Sequence, residues 1–161
     1  MGRRISGKNA LVQLEESEGT AFDISGTDED GRSRANSYSF TIAGNIAEAM
    51  GYNEDGVEPV PTGQTRVTGS MTVFYNSATD EVEDYLWDMY DDQHAPDSCT
   101  DVADYDMYVM PEGDCTGKTK WTLDQVIIQD LAFQFPVDDL AIITFNFQAW
   151  TAARATITAE S

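Results

Sequence analysis

Lysine is almost missing from this chain. Only Lys8, Lys118 and Lys120 occur, and with the arginines they make nine cations against 29 Asp and Glu, a formal net charge of −20 over 161 residues. A protein that grips nucleic acid neutralises phosphates with Lys and Arg, so tight nucleic-acid binding is excluded. The same repulsion excludes an anionic membrane surface. One histidine, His94, and two cysteines, Cys99 and Cys115, lack the paired spacing of a tetrahedral zinc site. A serine triad would need His94 as base, but it lies in a polar run before Pro96 and no G-x-S-x-G elbow exists, so a loop histidine is expected. No apolar run approaches the roughly 18 residues of a membrane span. The basic start Met1–Ser6 leads into no apolar stretch, so no signal peptide is expected.

Three near-motifs fail on spacing. Gly113-Asp114-Cys115-Thr116-Gly117-Lys118-Thr119 has three residues between its glycines where a phosphate loop needs four, and a strand rather than a helix should follow it. Asp28-Glu29-Asp30-Gly31 resembles the middle of a calcium loop, but Gly26 and Ser37 stand where the first Asp and the last bidentate Glu belong. Asn53-Glu54-Asp55-Gly56 fails in the same way, with Gly51 and Thr62 at those places. These are acidic turns, able at most to hold cations loosely. Carboxylates are so abundant that the pair spacing of a glycosidase carries no information. No enzyme activity and no cofactor is expected.

What is present is period-two alternation. Hydrophobic residues are 41% of the chain, enough for the core of one domain. In Ser37–Ala43, Tyr38, Phe40 and Ile42 face one way and Ser37, Ser39 and Thr41 the other. In Gln64–Tyr75, Val67, Gly69, Met71, Val73 and Tyr75 share one face and Thr68, Ser70 and Thr72 the other. In Leu140–Trp150, Ile143, Phe145 and Phe147 point inward and Thr144, Asn146 and Gln148 outward. Further strands are expected at Lys8–Glu15, at Tyr105–Met110, and at Lys118–Leu123 with Gln125–Phe135, the last two separate or as one bent strand. A short strand is allowed at Ala21–Ile24, and a short strand or helical turn at Ile46–Met50. Gly51–Gly63, with its glycines, prolines and acids, reads as a long surface loop. One helix is expected over about 79–93, capped by Ser77 or Thr79, acidic in its first turn, with Val82, Tyr85, Leu86 and Met89 as its apolar stripe. The class is mainly β with a single flanking helix. The polar sheet faces carry Thr, Ser, Asn and Gln rather than the charges that usually keep exposed sheets apart. Such a face is either an ordinary solvated one or a smooth surface that something passes without sticking.

This order of parts resembles the tail tube (major tail) proteins of long-tailed viruses. The resemblance is carried by Ser37–Ile42, a long loop, Thr68-Gly69-Ser70-Met71-Thr72-Val73-Phe74-Tyr75, the acidic helix Asp80–Asp92, the hairpin from Val126–Phe135 and the strand Ile142–Ala149. It implies a β-sandwich or split barrel spanning residues 1–161 as one domain, with 1–8 and 151–161 as arms. It implies a structural virion protein of the tail, made in the host cytoplasm, whose hexameric rings stack into the tube through which the genome is ejected. Other tail proteins would be partners at the tube ends. The lumen would be lined by Thr68, Ser70, Thr72, Thr144, Asn146 and Gln148, with Asp130 and the turn acids Asp138 and Asp139 adding negative charge. Gly51, Asn53, Glu54, Asp55, Glu58, Pro59 and Pro61 would belong to an inter-ring loop. Self-association is expected through the strands of Gln64–Tyr75 and Gln125–Gln148. Cys99 and Cys115, in what looks like an insertion, are candidates for a disulfide, against the alternative of two independent thiols. The acidity exceeds what the family usually shows and fits a halophilic host, where salt screens repulsion within a few ångströms; an ordinary acidic protein is the alternative. The rival reading of the whole chain is an acidic surface β-sandwich that binds a glycan or a divalent cation.

Overall fold

The structure, a computed structural model, describes residues 10–16, 19–28, 30–49, 56, 58–76, 81–94 and 104–158. Nine strands and one helix follow in the order β1 (Leu11–Glu16), β2 (Phe22–Asp23), β3 (Ala35–Ala49), β4 (Glu58–Phe74), α1 (Val82–His94), β5 (Tyr105–Met110), β6 (Thr119–Asp124), β7 (Ile127–Gln134), β8 (Ile142–Ala149) and β9 (Thr151–Thr156). They form two sheets, a five-stranded one ordered β2-β1-β5-β6-β9 and a four-stranded one ordered β3-β4-β8-β7. All pairings are antiparallel.

The core lies between the sheets, where alternation puts it. Val67, Met71 and Val73 of β4 and Ile143, Phe145 and Phe147 of β8 are buried, as are Val12 and Leu14 of β1, Met107 and Val109 of β5 and Leu123 of β6. Two strands change sheet at one corner. β6 ends at Asp124 and β7 begins at Ile127, with Gln125 between them in the left-handed region (φ 51°) and its N–H donating to Asp106 Oδ1 at 3.2 Å. On the partner strand the Trp150 N–H donates to the Asp124 carbonyl at 2.8 Å, and β8 passes into β9. The segment expected as separate strands or one bent strand is therefore two strands in different sheets, as the bent corners of packed sheets require.

Two expectations are corrected. From Glu58 onward the stretch Gly51–Gly63 is strand, not loop: Glu58, Pro59, Val60 and Pro61 pair with Ala49, Glu48, Ala47 and Ile46. β8 reaches only to Val67, so this part of the β3–β4 ribbon has no third strand, and Pro59 and Pro61, which cannot donate, need give up no ladder bond on that free side. Likewise, Thr151–Thr156 is not an arm. It pairs with β6 from Thr119↔Thr156 to Asp124↔Thr151 as an edge strand whose alternation is hidden by small residues, Ala152, Ala153 and Ala155.

Gly69 marks the tightest point. It lies opposite Phe147 and Phe40, and a Cβ there would fall far inside van der Waals contact with the Phe147 ring and the Ser39 carbonyl oxygen. Since one neighbour is backbone, the strand cannot yield cheaply. Gly69→Ala should lower unfolding stability by about 1–3 kcal/mol, read as a fall in the urea midpoint at unchanged slope. An unchanged midpoint would mean that Phe147 does not lie across this glycine.

Candidate functional site

The polar positions singled out in the sequence come together on one surface, the face of the four-stranded sheet turned away from the core. Register arranges them in three rows. Ser37, Thr72, Thr144 and Ala132 form the first, Ser39, Ser70, Asn146 and Asp130 the second, and Thr41, Thr68, Gln148 and Ile127 the third. Within the rows Thr72 Oγ1 and Thr144 Oγ1 lie 3.2 Å apart, and Asn146 Nδ2 donates to Asp130 Oδ1 at 2.8 Å. These two contacts run across neighbouring strands, and the remaining side chains of the rows are short or uncharged apart from Asp130. Asp130 is its only described carboxylate. Asp138 and Asp139 lie outside it, on the exposed turn joining β7 to β8, where Asp139 Oδ1 accepts the Leu140 N–H at 2.7 Å. Alternation along β4 also puts Arg66, two residues before Thr68, on the same side, opposite Ala43 and beyond the end of β8. That cation was legible from the same spacing and does not belong to the uncharged set.

Gly51, Asn53, Glu54 and Asp55 lie outside the described residues, as does Cys99. Cys115 is free and exposed among the described residues. Glu58, Pro59 and Pro61 sit on the ribbon beyond β8, which is exposed along the described part of both strands and carries Ile46 at 64% exposure. β4 and β8 are interior strands, so Gln64–Tyr75 offers no free edge. The edges of this sheet are β3 and β7.

Helix α1 takes part of the β7 edge for itself. Gln93 is buried, and its amide completes a strand-like pair of bonds: Nε2 donates to the Val126 carbonyl at 2.8 Å and Oε1 accepts the Ile128 N–H at 2.9 Å. His94, expected on a loop, is the last helical residue. Its Nε2 meets the Ile128 carbonyl and its ring packs on Tyr90 at 4.5 Å, so the helix runs through His94. The β7 edge is therefore capped at Ile128, and the ladder with β8 shifts between Ile128 and Asp130. At the other helix end, buried Glu81 takes Arg34 Nε at 2.8 Å and Nη2 at 3.3 Å, while Arg34 Nη1 donates to the Asp23 carbonyl at 3.0 Å. Tyr85 donates to the Leu14 carbonyl at 3.4 Å, and burial followed by the charges of Glu16 and Glu15 pushes its hydroxyl up to about 12. Sequence reading missed these anchors; the one signal was a Gln in the buried helical seam, four residues after Met89.

Among the described residues no three His, Cys, Asp or Glu side chains converge as metal ligands. No family model and no curated protein matches the chain. Solved structures do. A chain in the six-fold symmetrised baseplate of the anti-feeding prophage is 13% identical, with 99% of this chain and 100% of that one covered and a TM-score of 0.68. The SPP1 tail tube is 9% identical over 97% of this chain and 81% of the other, with a TM-score of 0.66. A chain from the tail of a gene transfer agent particle, solved with C6 symmetry, is 11% identical over 96% and 98%, with a TM-score of 0.62. This chain has the tail tube fold.

The Gln93 clamp can be tested directly. Gln93→Leu keeps the bulk but leaves the Val126 carbonyl and the Ile128 N–H unpaired, which should cost about 1–3 kcal/mol. Hydrogen exchange at Ile128 should quicken with it. Wild-type protection at Ile128 would show that the amide bonds do not form.

Proposed function

We propose that this protein is the structural subunit of a viral tail tube, a non-enzymatic virion component whose hexameric rings stack around a channel for the genome. The observation that carries the reading is the four-stranded sheet: apolar on its core side, almost uncharged on the other, with edges at β3 and at β7 beyond the Ile128 cap. Its strands alternate in direction and are even in number, so β7 of one copy and β3 of the next meet antiparallel, and repetition by rotation closes a barrel without free edges. The edges also match in polarity. Phe133 and Phe135 are exposed on the core side of β7, and an apolar cavity of about 370 Å³, lined by Tyr38, Phe40, Met71 and Phe147 among others, lies beside β3. Two dissimilar, complementary edges favour a head-to-tail ring over a two-fold dimer.

In this reading residues 1–161 are one domain, and the three polar rows line the lumen. Neutral hydroxyls and amides, with no cation among the three rows, give DNA phosphates no charge to hold. The six-fold arrangement has its support in the symmetry of the baseplate and gene transfer agent particles named above. The ribbon of β3 and β4 beyond β8, with the residues at its tip, would make the contact between rings, and other tail proteins would terminate the tube. The tail of the virion is the proposed location.

Electron microscopy of the purified protein decides the main point. Rings or tubes are expected; a monodisperse monomer stabilised by a glycan or divalent cation would replace this reading with the binding-module one. Thr72→Arg should leave tubes intact while placing one cation per subunit in the channel, so that genome delivery slows, most strongly at low salt. Normal delivery by tubes shown to carry the arginine would mean that this face does not line the channel.

A further inference from the structure

A ring of these subunits still has one free parameter, the distance that each copy slides along the next. Backbone direction limits it. In β4 the Phe74 N–H donates to the Arg34 carbonyl at 2.8 Å, toward β3, and the Tyr75 N–H donates to the Ala141 carbonyl at 2.9 Å, toward β8. Polar-face residues therefore make the β3–β4 bonds, and the core-face residues Phe40 and Ile42 turn their N–H and C=O groups to the free edge of β3. On the other side β8 meets β7 through its polar-face residues, so Leu131 and Phe133 turn theirs outward from β7. Two such edges pair only with core face beside core face, which restricts the slide to an even number of residues.

Closure sets the size and sense of the slide. Strands of a closed barrel lean by about 35–45°. Across the four strands of one copy, about 4.8 Å apart, that lean moves the register by about 13–19 Å, or about four to six residues. Viewed from the core side with β4 running upward, the chirality of L-residues puts β8, which receives the core-face N–H groups, on the right. Right-handed twist leans the strands up to the right, so the rows step down from β3 to β7. The next copy's β3 runs downward and is met at higher residue numbers. Asp130 shares a row with Ser39 of its own copy. A slide of six would set Asp130 and Leu131 against the break in the β3–β4 ladder between Gly44 and Ile46, whereas a slide of four keeps every pair on regular strand.

We propose that β7 of one copy pairs with β3 of the next with Leu131 opposite Ile42, Phe133 opposite Phe40 and Asp130 opposite Ala43, and that Asp130 there meets Arg66 of the next copy across the joint. This register rests on the ring reading above. Side-chain chemistry, which played no part in choosing the slide, agrees with it on both faces. On the core side it covers Ile42, 42% exposed, and Phe133, 40% exposed, and brings Phe135 over the apolar cavity beside Tyr38. On the polar side Arg66 is exposed, lies opposite Ala43 and has no ion-pair partner among the described residues. Asp130 and Arg66 of the next copy then stand two strands apart, about 9.6 Å between Cα atoms, with only the Ala43 methyl between them. Asn146 binds Asp130 Oδ1, and Oδ2 remains for the guanidinium. The one described carboxylate of the face and the cation at its border neutralise each other only when the ring closes.

Cross-linking reads the register directly. Ala132 and Thr41 of the next copy would form a non-hydrogen-bonded pair, with Cα atoms about 4.5 Å apart, within disulfide reach. Ala132→Cys is combined in turn with Ser39→Cys, Thr41→Cys and Ala43→Cys, all with Cys99→Ser and Cys115→Ser. On mild oxidation of assembled protein the Thr41→Cys combination should yield covalent rings at least about tenfold faster than the other two. Faster linking through Ser39→Cys or Ala43→Cys overturns the register and leaves the ring standing. So does slow linking in all three when microscopy shows rings. Absence of rings in wild-type protein overturns the ring and this register with it. For the charge pair, Arg66→Asp should raise the protein concentration needed for rings by at least about fivefold, and Asp130→Arg on the same chain should restore it. Wild-type assembly of the Arg66→Asp variant, or no recovery in the swapped chain, means that the two residues do not meet.

Discussion

Everything in this fold depends on the two-residue pleat of β4 and β8 serving two environments at once. Each inward residue must fill space against the other sheet, and each outward one must be indifferent to what lies beyond. A slip of one residue would exchange Met71 with Thr72 and Phe145 with Asn146, putting hydroxyls and an amide into the core and rings on the surface. The register is therefore fixed by burial, with Gly69 the place where it is tightest. Phe147 crosses the strand there, and only a missing side chain lets β3, β4 and β8 approach while that ring stays inside.

Helix α1 solves a different problem. The sheets are joined by continuous chain at the Gln125–Trp150 corner, but away from it they need a bridge. The helix supplies one with polar contacts at each end of an apolar seam: Val82, Leu86 and Met89 bury, Glu81 fixes Arg34, Tyr85 holds β1 and Gln93 holds β7. A buried ion pair or amide adds little net stability against a well-packed apolar substitute, but breaking it strands its partner. Such contacts specify where the helix sits rather than how strongly. By occupying the backbone of Ile128 they also shorten the edge that β7 can offer another strand, a common way of keeping a sheet from pairing out of register.

The strands with large alternating side chains were legible because burial and period agree: β3 through Ile42, β4 from Gln64, β5 and β8 all follow it. The polar rows followed from the same period, since a residue's face is fixed once its neighbour's is. Legibility failed where side chains are small or where punctuation misleads. Ala152, Ala153 and Ala155 hide β9, because alanine fits either face. Pro59, Pro61 and Gly63 read as loop, because breakers are tolerated in a ribbon that lacks a third strand, a fact of topology rather than of local sequence. The bonds from Gln93 to Val126, from His94 to Ile128 and from Arg34 to Glu81 join residues 33 or more positions apart, and no local pattern announces them.

The charge of −20 is distributed in a way that composition alone misrepresents. An acidic total suggests an acidic channel wall, yet the described polar face holds one carboxylate, Asp130, and Asn146 already donates to it. The remaining described acids lie largely elsewhere, on the helix, on the five-stranded sheet and in the turns. A wall need not repel a polyanion to let it pass. It must only give nothing back for the water that phosphates would lose on contact, and in the proposed tube a face of short neutral hydroxyls and amides would meet that condition at any ionic strength. Repulsion from carboxylates a Debye length away would fade in salt. In the proposed tube the neutral face would serve transit and the acids elsewhere solubility, and Arg66 stands at the border where the face leaves the sheet and the ribbon begins.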